Sequence, residues 1–592
     1  MSMNKNIARL AVTAGLTAAL SFGGVMAPVT MAFAEGVPTV AQSGNVTITD
    51  STYTDTTFKG IQIFKAKVTQ NKDGNTWSGE KTLSDVEWAS NAVKDAVTGA
   101  FTSSTADPKK PSGTDAQKWA EWINEKTKTE YTPGTDANTK LDAGTTLDKI
   151  AKALEEANIA EGTDGWNTSD NGEFTGLNAG YWLFVTASVG KTANATAGNT
   201  DTFTSPIFAV VGGSDENVTP KKQVPTVTKA VKDDAEGATF GTFEKPNMAA
   251  DSQMDQYVDY QLTGTVAGNI NSYSTYKYTF TDQLPNSMTP MLKDNGTMPD
   301  VTVKIDNAVV TSGYSAKYED NTLTVDFADL KNCTGEDSTT IKLNGDSKVT
   351  VEYKAKLDST KIFDESGAIY AKFKGLVGKA QKNTVKLAYS NNPHADGTGT
   401  TVEHPAYDYT YGIDVTKVGS DEDETGKHKA LEGVQFTLQE KDSNKFIKAD
   451  GTTTSTENEA ILTTDSNGKI NVVGLDEGTY ILKEVTPAPG YNNSAANGVT
   501  FTIKRELNQA GGDVTPSADS AIQAADDVVK DNSATVSTGK LSFTIVDKKG
   551  SGLPLTGLNG VTFTWIAGGA VLCIGVAHLI RSRKQAEESE QE

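Results

Sequence analysis

Lys348-Val-Thr-Val-Glu-Tyr353 decides the fold class of this chain, because apolar and polar residues alternate there with the period of two that marks a strand with one buried face. The same alternation runs outward in both directions. Upstream it recurs in Val301-Thr-Val-Lys-Ile305 and Thr322-Leu-Thr-Val-Asp-Phe327, and downstream in Val434-Gln-Phe-Thr-Leu438. Gly, Asn and Asp turns divide it into many short strands, which predicts a mostly β chain of successive immunoglobulin-like sandwiches. Only the first third departs. Asp85 to Phe101, Asp115 to Thr127 and Thr146 to Ala160 space apolar residues at helical intervals (Trp119, Trp122, Ile123; Leu147, Ile150, Leu154). This predicts helices inserted into the first β-domain, with both tryptophans packed in its core.

Composition narrows the function classes. The chain has 592 residues, 54 Lys+Arg against 76 Asp+Glu, a formal charge of −22 and two cysteines. Its length allows several cores, its cysteines are too few for a disulfide scaffold, and it lacks the basic stripe that nucleic-acid binding needs. The four histidines lack metal-ligand spacing, and no nucleophile elbow, Walker loop or dinucleotide fingerprint is present, so neither an enzyme nor a cofactor or metal is expected. Asp421-Glu-Asp-Glu424 reads as a solvated acidic loop. Punctuation suggests two linkers: Gly212-Gly213-Ser214 with Thr219-Pro220-Lys221-Lys222-Gln223-Val224-Pro225, and Ser390-Asn-Asn-Pro393 through His404-Pro405. They divide the body into residues 35–219, 220–406 and 407–552.

The ends carry address signals. Residues 1–34 join a basic start (Lys5, Arg9) to an apolar stretch and end in Ala32-Phe33-Ala34, the pattern of a signal peptide cleaved between Ala34 and Glu35. Residues 553–592 open on Leu553-Pro554-Leu555-Thr556-Gly557. An uncharged span follows from Leu558 to Ile580, long enough to cross the ~30 Å hydrocarbon core, and then Arg581, Arg583 and Lys584. This order resembles the LPxTG cell-wall sorting signal of Gram-positive surface proteins, the substrate of sortase. The resemblance implies that a sortase cysteine attacks the Thr556 carbonyl, expels Gly557 with the membrane tail and passes the acyl group to an amine. Cys573 leaves with that tail, so Cys333 remains as a single thiol.

The body carries matching motifs. Ile413-Asp-Val-Thr-Lys417-Val, Ala430-Leu-Glu-Gly-Val-Gln-Phe-Thr-Leu438, Thr464-Asp-Ser-Asn-Gly-Lys469 and Tyr480-Ile-Leu-Lys-Glu484-Val-Thr-Pro-Ala-Pro-Gly-Tyr491 follow in order. Together they resemble a collagen-adhesin B-type domain, with Glu484 in the pilin E-box. The resemblance implies an amide between Lys417 and Asp547, assisted by Glu484; here Val485 stands where the family has Thr, and Asp547 where it has Asn. Burial would leave a neutral amine facing a neutral acid, and a protonated Glu484 would polarise the acceptor carbonyl. An Asn acceptor leaves as ammonia and an Asp as water. Val227-Thr-Lys229-Ala-Val, Tyr278-Thr-Phe-Thr-Asp282-Gln-Leu-Pro285 and Val385-Lys-Leu-Ala-Tyr-Ser-Asn391-Asn-Pro393 resemble the central isopeptide-forming domain of fimbrial subunits. That implies Lys229 as amine, Asp282 as acid and Asn391 as acceptor, with Asn392 and Asn383 as competitors.

A weak repeat relates Gly176-Leu-Asn-Ala-Gly-Tyr-Trp-Leu183 to Gly474-Leu-Asp-Glu-Gly-Thr-Tyr-Ile-Leu482. Laying Tyr181 on Tyr480 puts Val185 at the Glu484 position, so no internal crosslink is expected in residues 35–219. Val218-Thr-Pro-Lys221-Lys222 resembles the pilin motif, with Thr219 in place of the family's Tyr and no upstream Trp. It implies Lys221 as the intermolecular acceptor and Lys222 as its competitor.

The resemblance as a whole implies the major backbone subunit of a sortase-assembled pilus serving adhesion, exported, briefly membrane-bound and then anchored to the cell wall. Its implied partners are pilin-class and housekeeping sortases, identical subunits, accessory pilins, peptidoglycan and a host or matrix ligand. A tip or base pilin, or a monomeric wall-anchored adhesin, is the alternative.

Overall fold

The strand Lys348–Leu357 buries every odd-numbered residue from Val349 to Leu357 and none of the even ones, as the alternation predicts. The computed structural model describes residues 21–22 and 36–550, apart from 51–52, 54, 103–106, 108, 131–140, 191–197, 221–222, 295, 518–519, 524–528 and 538. Among the described residues the strands form six sheets, mostly antiparallel, and the chain is mostly β. The expected signal peptide, except Ser21–Phe22, with its cleavage residues Ala34 and Glu35, the expected acceptor Lys221 with Lys222, and the tail from Leu553 to Gly557 and beyond lie outside the described residues.

In the first part, the long strand Thr57–Asp73 pairs with Gly180–Ser188, Thr76–Trp88 and Val37–Ala41. One face of this sheet packs Phe58, Trp182 and Phe184 against Val46, Ile48 and Phe174 of a small sheet made of Glu216–Val218, Ser43–Ile48 and Glu173–Asn178. The other face packs Ile61, Ile63, Tyr181 and Leu183 under the helices Asn91–Gly99, Ala116–Glu130 and Thr146–Glu156. Gly180–Ser188 is therefore covered on both sides and shows no alternation. Trp119 and Trp122 meet edge to face at 5.4 Å within this core, as expected.

The first helix is shorter than its apolar spacing suggested. Residues 85–88 end the strand Thr76–Trp88, and helix begins only after Ser90, whose Oγ accepts the Val93 amide. The third helix stops at Glu156 rather than Ala160. Both presumed linkers also lose residues to the sheets. Glu216–Val218 runs parallel to Ser43–Ile48, and Thr398–Thr400 and His404–Tyr409 both pair with Gln381–Ser390. Only Thr410 separates His404–Tyr409 from Tyr411–Glu422, the first strand of the last sandwich.

The repeat has a structural basis, with a different register. Glu173–Asn178 and Lys469–Leu475 lie in one sheet of their sandwiches, and Gly180–Ser188 and Gly478–Thr486 in the other, so each glycine turn crosses between sheets. Trp182 Nε1 donates to Asn178 O at 2.9 Å and Tyr480 Oη to Asp476 O at 2.8 Å. Trp182, not Tyr181, thus corresponds to Tyr480. The Glu484 position is Thr186, whose hydroxyl accepts the Thr204 amide, and no carboxyl stands there.

The first two sandwiches dock through backbone and side-chain bonds from residues 199–205, including Phe203 N to Asn391 O at 2.8 Å and Val402 N to Asn199 Oδ1 at 2.8 Å. His394 closes the contact. Its Nε2 lies 2.9 Å from Asp148 Oδ1, and its Nδ1 meets Glu155 Oε2, both on the helix Thr146–Glu156. Burial disfavours the imidazolium, but its bonds to Asp148 and Glu155 outweigh that and push its pKa up to about 9. Stabilisation from a raised pKa is complete below the unfolded value near 6.5 and is lost as pH rises through about 9. The protection factors of the helix Thr146–Glu156, corrected for the base-catalysed rise in intrinsic exchange, should therefore fall between those pH values, and His394→Ala should abolish that fall.

Candidate functional site

In the last sandwich, Tyr411–Glu422 and Lys540–Asp547 are parallel neighbours, with Lys417 opposite Ile545 and Gly419 opposite Asp547. Alternation puts Lys417 and Asp547 on the same inner face, two positions apart. Glu484 comes from Gly478–Thr486 in the facing sheet. Lys417 Nζ lies 2.5 Å from Asp547 Oδ1 and 2.9 Å from Glu484 Oε2, and none of the three side chains reaches solvent. Asp547 Oδ1 also accepts from Ser494 N at 3.1 Å and Ser494 Oγ at 2.6 Å.

One ammonium and two carboxylates would leave a bare negative charge in an apolar core, so one carboxyl holds a proton. Burial raises the Glu484 pKa to about 7, Lys417 opposing and the Asp547 carboxylate adding. Three donors meet Asp547 Oδ1, so the proton is placed on Glu484, the acid that burial raises. The Lys417 nitrogen is thus seated against one carboxyl while a neutral acid stands ready to protonate a departing oxygen. Chemically this is an arrangement for amide condensation with loss of water.

The second sandwich builds its cluster differently. Lys229 lies on Val227–Lys232, in the sheet that also holds Tyr257–Thr265 and Lys348–Leu357; Asp282 lies on Tyr278–Gln283 in the opposite sheet. Lys229 Nζ reaches both Asp282 oxygens, at 2.5 and 2.6 Å, and Tyr353 Oη at 3.0 Å. The rings of Tyr260 and Tyr353 stand 5.1 and 5.4 Å from the nitrogen. Burial pushes the Lys229 pKa down to about 8 against the pull of Asp282, and burial likewise raises Asp282.

Asn391 is not in this cluster. Its Nδ2 donates to Asp201 O at 3.3 Å, in the contact between the first two sandwiches. Asn383 occupies the place instead. Asp282 pairs with Val385, which faces the same side as Asn383, and Asn383 Nδ2 donates to Tyr353 Oη at 2.8 Å. Asn391 lies eight residues further on, roughly 26 Å at 3.3 Å per residue, so one lysine cannot serve both. Asn383 Oδ1 is buried without a hydrogen-bond partner, which leaves that carbonyl unpaired beside the amine's acid.

The structure thus brings Lys417, Glu484 and Asp547 together, and Lys229 with Asp282. Sequence reasoning missed Tyr353 and Ser494. Tyr353 ends the alternating run quoted first, where an inward-facing Tyr reads as core; Ser494 sits in a loop with no periodic signal.

Residues 413–515 match the family described as SpaA, prealbumin-like fold domain. No curated protein matches the chain. Among solved structures it is similar to the T6 backbone pilin of serotype M6 Streptococcus pyogenes, at 15% identity over 86% of this chain and 98% of that one, with a TM-score of 0.43. It is also similar to the major pilin SpaD from Corynebacterium diphtheriae (15% identity, 86% and 98% covered, TM-score 0.40) and to BcpA, the major pilin subunit of Bacillus cereus (16%, 66% and 90%, TM-score 0.35). The family match is confined to residues 413–515, the segment that holds Lys417 and Glu484.

Proposed function

We propose that this chain is the shaft subunit of a covalent cell-surface pilus, in which sortase joins Thr556 of one subunit to Lys221 of the next. The observation that carries the reading is the pair of fully buried lysine–acid clusters, one in each of two consecutive sandwiches. As ion pairs they would be poor stabilisers, because desolvating the charges costs several kcal/mol per ion. As precursors of amides they make sense. Lys417 condenses with Asp547 and releases water; Lys229 condenses with Asn383 and releases ammonia. The prealbumin-like domain and the order LPLTG, apolar span, basic tail support the same reading.

The two amides would carry tension. Load entering at Lys221 would pass from Lys229 to Asn383 and from Lys417 to Asp547, bypassing most of both sandwiches before leaving at Thr556. Residues 36–219 lie outside that path, which would account for a first sandwich with no fully buried lysine–acid–acceptor set among its described residues. The fibre would be exported and anchored to the wall by the sorting signal, and adhesion would be a property of the assembled pilus.

Intact mass of the secreted chain tests the amides: the expected deficit is one ammonia plus one water. Asn383→Ala should restore the ammonia and Asn391→Ala should not; a full-mass wild-type chain would reject both bonds. Glu484→Gln should restore the water and lower stability by about 4–5 kcal/mol, the entropy of closing a loop of this length. For assembly, Lys221→Ala with Lys222 intact should remove the high-mass ladder on a denaturing gel; a persisting ladder would count against Lys221.

A further inference from the structure

Asp282 has no direct hydrogen bond to Asn383. Both of its oxygens face Lys229, and the bond from the Asn383 amide runs to Tyr353 Oη at 2.8 Å. Tyr353 Oη in turn donates to Asp282 Oδ2 at 2.5 Å and lies 3.0 Å from Lys229 Nζ. One hydroxyl therefore touches the nucleophile, the acid and the leaving nitrogen. Its ring is fixed by a stacked contact with Tyr260, 5.4 Å between centroids, and by the paired register of those two residues on adjacent strands. The other cluster has no such intermediary: Lys417 meets both carboxyls directly.

We infer that Tyr353 is a catalytic residue of the second-sandwich bond, relaying a proton from Asp282 to the nitrogen that leaves Asn383. The inference rests on the reading that Lys229 and Asn383 condense. First, the Lys229 ammonium gives a proton to Asp282, leaving amine and acid. The amine attacks Cγ of Asn383, forming the new C–N bond. Asp282, now a donor, passes its proton to Tyr353 Oη while the phenol gives its own to Nδ2; the Cγ–Nδ2 bond breaks and ammonia departs. The second proton of the former amine returns to Asp282. Acid and phenol are regenerated, and the products are one amide and one ammonia. Burial keeps the phenol neutral well above its ordinary range, as a relay requires.

Timed intact-mass measurement after pulse synthesis of the full chain tests the relay. Tyr353→Phe should slow the loss of ammonia about 100-fold, a typical contribution of general acid catalysis. The loss of water at Lys417–Asp547 should keep its wild-type rate. Ammonia loss at the wild-type rate in Tyr353→Phe overturns the relay. A wild-type chain that never loses ammonia overturns the condensation itself, a separate failure. If Tyr353→Phe opens the second sandwich to protease, 3-fluorotyrosine at position 353 supplies the readout. It preserves the ring and acidifies the phenol, so the rate must change; an unchanged rate overturns the relay.

Discussion

A lysine with no exposure to water is the constraint around which two of these sandwiches are arranged. Lys229 and Lys417 each stand on the first strand of their sandwich, pointing between the sheets, where a bare ammonium would be very costly. Everything near them answers that cost. Acids face the nitrogens at hydrogen-bond distance, aromatic rings of Tyr260, Tyr353 and Phe436 close over them, and opposite sheets contribute opposite partners. The same desolvation that makes the ion pairs poor also moves Lys229 and Glu484 toward neutrality, the state in which an amine can attack and an acid can donate.

The two solutions differ in geometry. In the last sandwich the amine and its acceptor sit on adjacent parallel strands of one sheet and the acid comes from the other. In the second, the amine is on one sheet, and both the acid and Asn383 are on the other. A bond there would tie sheet to sheet, whereas Lys417–Asp547 would tie first strand to last.

Much of this was legible in the sequence, for reasons tied to particular residues. Strands such as Lys348–Leu357 announced themselves because one face is wet and the other dry; Gly180–Ser188, dry on both, did not. Lys229, Asp282, Lys417, Glu484 and Asp547 stood at marked places in strand motifs. The motif pointed to Asn391, with Asn392 and Asn383 as competitors; Asn383 and Asn391 share the inward parity of one strand path, and the pairing of Tyr278–Gln283 with Gln381–Ser390, which no motif encodes, is what sets Asn383 near Asp282. Tyr353 looked like one more core aromatic, because a hydroxyl's partners are set by the sheet across the gap. The helix start at Asn91 and the short linkers were hidden by competition: Ser90 caps late, and residues 216–218 and 404–409 gain more from strand pairing than from remaining loop.

Between the two clusters the chain runs from Thr384 to Thr416 with no fully buried lysine–acid pair across it, the pairs Lys277–Asp396 and Lys540–Asp414 both reaching solvent, through Gln381–Ser390 and back along His404–Tyr409, antiparallel and hydrogen-bonded. Asn383 lies opposite Ala406, so both loaded ends of this return are at the same end of the ladder, and tension between them would open its bonds one after another from there. This segment would be the compliant element of an otherwise inextensible rod, a spring of backbone hydrogen bonds that yields before any covalent bond does and re-forms when the pull relaxes.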